Sequence, residues 1–137
     1  MGTTQDVTER KLADEALREN ERFLNTLIEN AADAIYLHDF DGRILRVNQL
    51  ACDQLGFTRD ELQSMHVWEI DVAFSASEAR SIFERFEYGG PLAVQGHHQR
   101  KDGTTFPVEV RLSKVVRGDQ SLILAFARDM SERERAQ

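Results

Sequence analysis

Hydrophobic positions along the chain follow two regimes. From residue 6 to about 30 they recur at helical spacing. Ala13, Leu17, Asn20, Leu24, Leu27 and Ala31 keep a 4-3-4-3-4 rhythm, and Leu12, Ala16, Phe23 and Ile28 widen the apolar face. No glycine or proline interrupts the segment, and Asp6 with Glu9 three residues on reads as its capping pair. The amphipathic helix so predicted has two readings. It lies on the core of its own domain, or it zips against a second copy, with Asn20 on the seam setting the register.

Beyond residue 33 the pattern changes to short strands and tight turns. Ala34 to His38 reads as a strand, Asp39-Phe40-Asp41-Gly42 as a hairpin turn and Arg43 to Val47 as the returning strand. Asn48 to Leu55 is a short helix closed by Gly56. Thr58-Arg59-Asp60-Glu61 and Ser75-Ala76-Ser77-Glu78 are capping boxes, and Met65 to Val72 between them is ambiguous. The second box opens a helix with Ala79, Ile82, Phe83 and Phe86 on one face, stopped by Gly89-Gly90-Pro91. Leu92 to Arg100 leads into the Asp102-Gly103 turn. Phe106, Val108, Val110 and Leu112 then alternate with polar neighbours and Pro107, and Arg117-Gly118-Asp119-Gln120 turns the chain again. Leu122 to Ala127 is apolar on both faces, so it is a central strand, with the N-terminal helix as its candidate second cover. The order predicts an α+β fold: a five-stranded antiparallel sheet with the short helices on one face.

Composition narrows the function classes. The 137 residues fit one domain, and 41% hydrophobic residues suffice for a core. A net charge of −7 argues against nucleic acid or an anionic membrane as partner. The lone Cys52 excludes an internal disulfide and a four-thiolate zinc site. No apolar run reaches membrane-spanning length, and the first residues match neither a signal peptide nor, with Asp6 in the place of Ser or Thr, a myristoylation signal. The expectation is a cytoplasmic domain without direct membrane insertion.

The two ends echo each other. Asp6-Val7-Thr8-Glu9-Arg10 is matched by Asp129-Met130-Ser131-Glu132-Arg133. The chain thus reads as one period of an array, its last residues opening a helix that runs into a following domain.

Several segments together resemble the Per-Arnt-Sim (PAS) family in its bacterial and archaeal sensory-box form. They are Glu29 to Ile35, Asp41-Gly42-Arg43-Ile44 with Val47-Asn48, Ala51-Cys52 with Leu55-Gly56-Phe57, Arg100 to Thr104 with Phe106 to Val110, and Ala127 to Arg133. The resemblance implies a sheet of order 2-1-5-4-3 cupping a small cavity. Residues 1–28 are then a linker or dimerisation helix, 29–130 the PAS domain, and 131–137 the start of an output helix. It further implies a sensory module that relays the state of its cavity to an adjacent PAS domain or to an effector such as a histidine kinase. The alternative is a ligand-free dimerisation and relay module. Asp129-Met130-Ser131 resembles the family's Asp-Ile-Thr junction, with Ser131 keeping the hydroxyl and Met130 the apolar contact.

The candidate cavity liners are Ile35, Leu37, Val47, Trp68, Phe83, Phe86 and His98. Relatives carry haem, flavin or a metabolite, but the motif of the covalent flavin subfamily is missing, and Cys52 reads as a small core residue. Ser75 to Gly89 holds no histidine for haem, although His66 could in principle ligate. Trp68 either stacks on a flavin-like ring or closes the core. His97 and His98 point to opposite faces of a strand and cannot chelate one ion, while Gly96 marks a close approach. A small metabolite or no ligand at all remains, and no metal is expected. No phosphate loop, nucleophile elbow, zinc-protease motif or kinase box occurs, so no enzymatic role is assigned to this chain.

Overall fold

The computed structural model describes residues 3–85 and 90–136; of the side chains of 3–5 and 134–136 nothing is said. The elements run α1 (Thr3–Glu29), β1 (Ala34–Asp39), β2 (Ile44–Val47), α2 (Gln49–Leu55), α3 (Arg59–Gln63), α4 (Val67–Ile70) and α5 (Ala76–Glu84). Then come β3 (Leu92–Gln99), β4 (Thr105–Arg117), β5 (Gln120–Asp129) and α6 (Ser131–Ala136). By contact the chain divides into two units, residues 1–31 and 32–137.

In the first unit α1 begins at Thr3, so Asp6 stands inside the first turn rather than at the cap. There its carboxylate still meets the positive end of the helix dipole. The expected Asp6 cap is therefore corrected: Thr3, Thr4 and Gln5 hold no glycine or proline, and the helix extends over them. The apolar face of α1 is exposed, with Leu17 57%, Leu24 56% and Leu27 53% accessible.

The second unit is built on one five-stranded sheet of order β2-β1-β5-β4-β3, antiparallel at every pairing. This is the order and class expected. β5 is central because both its faces are apolar: Ile123, Ala125 and Ala127 are buried on one face, and Leu122, Leu124 and Phe126 occupy the other. The side of the sheet that carries Tyr36, Val108, Val110 and Ala125 packs against Ala51, Leu55, Leu62, Ile70 and Phe83 of α2 to α5 in one core.

Local chemistry explains where the short helices start and stop. Asn48, Thr58 and Ser75 cap α2, α3 and α5, and the last two form complete capping boxes with Glu61 and Glu78. Gly56 closes α2 in the left-handed region, φ 79°. The ambiguous stretch resolves into the single turn of α4. It forms because its flanks are tied down: Ile44 N–H bonds Met65 O at 3.1 Å and Val67 N–H bonds Gly42 O at 2.8 Å. Phe86, expected on the apolar face of α5, and Gly89 of the expected stop lie outside the described residues. No helix among the described residues is long and apolar enough to cross a membrane.

Candidate functional site

Between the sheet and the α4–α5 segment lies a cavity of about 70 Å³. Its floor comes from β1, β3, β4 and β5 through Tyr36, His38, Val94, His98, Val110, Leu112 and Ala125. Its roof comes from Val67, Trp68, Ile70, Asp71, Phe74, Ala79, Ile82 and Phe83. Of the liners expected from the sequence, Trp68, Phe83 and His98 meet here. Val47 is buried in the adjacent core but does not line the cavity.

Ile35 and Leu37 require a correction: they stand on the other face of the sheet. β1 alternates, and Tyr36 and His38 are the residues turned inward, paired across the ladder with Ala125 and Ile123. A one-residue slip in facing exchanges the whole set. Hydropathy favoured Ile35 and Leu37 because both faces of the central strands are apolar. No sequence signal marks Tyr36 and His38 as the inward pair. The Asn48 side chain accepts from Ile35 N–H at 3.0 Å and so anchors β1 to the start of α2.

Polar groups around the cavity sit in a low-polarity setting. The Tyr36 hydroxyl and His98 Nδ1 are buried without a hydrogen-bond partner among the described residues. Their rings meet edge to face, 5.8 Å between centroids. Burial raises the Tyr36 phenol above its ordinary range, and the negative charge of Asp71 adds to it. Burial likewise pulls the His98 imidazole from 6.5 to about 4. His38 is also lowered by burial, against the raising effect of its 2.8 Å contact with Asp39 O.

Asp71 staples the roof to the sheet. Its Oδ1 accepts from His97 N–H and Ala73 N–H, each at 3.1 Å, and its Oδ2 lies 3.7 Å from His98 Nε2. Burial raises its carboxyl despite those two backbone donors. The close approach that Gly96 marks is this carboxylate, since a Cβ at 96 would run into Asp71. Trp68 stacks on His66 at 4.7 Å and 16°, has the Arg80 guanidinium 5.0 Å from its ring, and rests on Gly42. Asp71 and Gly42 had no sequence signal as site residues, because their partners His97 and Trp68 each lie 26 residues further along the chain.

A pH dependence follows from these environments. Between pH 6.5 and about 4 the unfolded chain takes up a proton that folded His98 refuses. Stability should therefore fall as pH drops through that window, by at most roughly 3 kcal/mol from this group. His38 acts in the same sense and the raised carboxyl of Asp71 opposes it. Urea unfolding at pH 7 and pH 4.5 measures the slope, which should be shallower in His98→Gln; an unchanged slope would contradict the buried setting of His98.

At the exit of β5, Asp129 Oδ1 accepts from Ser131 N–H at 2.9 Å and from Ser131 Oγ–H at 2.6 Å. Met130 N–H bonds Pro107 O at 2.9 Å. The junction thus couples the start of α6 to β4 and β5. Among the described residues no group of three or more His, Cys, Asp or Glu is placed to hold a metal ion.

Comparison with known proteins agrees with this architecture. The chain is similar to the methyl sulfide methyltransferase-associated sensor of Methanosarcina acetivorans, 29% identical over 126 residues that cover 91% of this chain and 13% of that protein. It is 25% identical to Sensor protein FixL of Bradyrhizobium diazoefficiens, covering 99% of this chain and 28% of that protein. The chain therefore spans a small part of the curated relatives it matches. Among solved structures, the PAS domain of an HTR-like protein from Haloarcula marismortui superposes with a TM-score of 0.81 and 33% identity, covering 87% of this chain and 98% of that one. A PAS domain from a two-component sensor histidine kinase gives 0.72 at 23% identity, covering 82% and 97%, and shows the fold alone. A PAS-domain family model matches residues 32–132, and with the sheet order this establishes that the chain belongs to the PAS domain family.

Proposed function

We propose that this chain is the sensory module of a larger signalling protein, binding a small ligand in the cavity and passing its state on through the terminal helices. The observation that carries the reading is the pair of buried, unpartnered polar atoms, Tyr36 Oη and His98 Nδ1, on the wall of one cavity. A buried polar group without a partner costs stability, so such a pair is retained where a bound molecule satisfies it. The Asp129–Ser131 bonds supply the output, because a shift of β5 against β4 moves the start of α6. Relatives that are sensors support an adjacent effector, such as a kinase or a further PAS domain, in the full-length protein. We place the module in the cytoplasm, with neither nucleic acid nor membrane as partner.

The exposed seam of α1 favours a second element, dimerisation through that helix. In its extreme form this is a relay without any ligand. One experiment separates the two. The chain should sediment as a dimer and show saturable 15N–1H shifts at the cavity residues with a small probe such as 2-propanol. The paired substitution Leu17→Asp with Leu24→Asp should yield monomers that keep those shifts. Dimers without saturable shifts would favour the relay, and loss of the shifts together with the dimer would overturn the cavity as the site.

A further inference from the structure

The chemistry of the cavity wall narrows what it can hold, and this step rests on the ligand-binding reading above. About 10–15 Å³ of cavity space holds one water. The cavity of about 70 Å³ therefore suits a small molecule of a few non-hydrogen atoms. That is well under the roughly 300 Å³ where pockets for larger ligands begin.

Among the described residues Asp71 is the only carboxylate on the lining, and neither lysine nor arginine lines it. Asp71 Oδ1 accepts from two backbone N–H groups, and Oδ2 faces His98 Nε2 at 3.7 Å, longer than a hydrogen bond but near enough to favour a proton on that nitrogen. A carboxylate only accepts, so the neutral His98 ring keeps its proton on Nε2, toward Asp71. Nδ1 then carries a lone pair and can only accept. The Tyr36 hydroxyl beside it both donates and accepts. An anion would meet a lone pair and a carboxylate with no cation to offset them. An ammonium ion would enter surroundings whose burial already disfavours the charged forms of Tyr36, His38 and His98. Its only counter-ion would be a carboxylate already in use.

We propose that the cavity takes an uncharged molecule of a few non-hydrogen atoms, whose hydroxyl or amide N–H donates to His98 Nδ1 and whose apolar body rests on Phe83, Val110 and Leu112. The Tyr36 hydroxyl supplies the second hydrogen bond.

Four probes of one shape test this at pH 7: 2-propanol, acetone, acetate and isopropylammonium. Each has four non-hydrogen atoms, and they differ in charge and in having a donor. A ligand so small reaches roughly tens of micromolar affinity at best, so titrations run into the millimolar range. In 15N–1H correlation spectra 2-propanol should give saturable shifts at the cavity residues. It should bind about tenfold more tightly than acetate or isopropylammonium, and a few-fold more tightly than acetone, which cannot donate. Tyr36→Phe, which keeps the shape of the wall, should weaken 2-propanol by about two- to tenfold. Tighter binding of acetate or isopropylammonium would overturn the uncharged class and leave the ligand site standing. Acetone equal to 2-propanol would overturn the role of His98 Nδ1 as acceptor. Absence of saturable shifts with every probe would overturn the ligand reading itself.

Discussion

Asn48→Ala should cost the domain about 3 kcal/mol, lowering Tm by roughly 10 °C or more. Asn48 is fully buried and joins three parts of the fold with one side chain. Its Oδ1 accepts from Ala51 N–H at 3.1 Å, which caps α2, and from Ile35 N–H at 3.0 Å, which fixes β1. Its Nδ2 donates to Asp33 O at 3.1 Å. Alanine loses the cap and leaves two buried N–H groups and a carbonyl without that partner. Asn48→Asp keeps the acceptor and loses only the donor, so its stability should lie between alanine and wild type. Urea unfolding monitored by circular dichroism gives the order. Equal losses for the two variants would contradict the role of Oδ1.

The second large effect concerns Gly42→Ala, which should destabilise by about 2–3 kcal/mol and unseat Trp68. Gly42 has φ 83°, where a side chain is disfavoured, and a Cβ there would run into the indole ring. Gly103 serves as the control: its φ is 91°, but nothing lies within 4 Å of the Cβ position. Gly103→Ala should therefore cost only the backbone penalty, about 1 kcal/mol. Trp68 is the only tryptophan, so its emission reports on the roof of the cavity directly. Emission should shift to the red in Gly42→Ala and stay in place in Gly103→Ala. A shift in both, or in neither, would contradict the seating of the indole on Gly42.

What the sequence showed and what it hid have physical reasons. The starts of the short helices were legible because they rest on local chemistry, while the sheet order came from the resemblance to the PAS family. Thr58 with Glu61 and Ser75 with Glu78 are capping boxes within four residues, and Gly56 and Gly103 take the positive φ that their turns require. The central place of β5 was legible from its two apolar faces. That same property concealed which face of β1 is inward: Ile35 and Leu37 were as apolar as any cavity residue, yet Tyr36 and His38 line the cavity. The start of α1 was misread at Asp6 because a good cap residue also serves in a first turn. The Asp71–His98 contact and the seat of Trp68 on Gly42 were hidden for another reason. They join segments that are far apart in the chain and leave no periodic trace.

The central claim is that a small molecule sits against Tyr36 and His98. Titration of the wild-type chain and of Tyr36→Phe with 2-propanol, followed in 15N–1H correlation spectra, tests it most directly. The wild type should show saturable shifts at the cavity residues, and the variant, while remaining folded, should bind about two- to tenfold more weakly. No saturable shift in the wild type, or equal affinity in the variant, would contradict the claim.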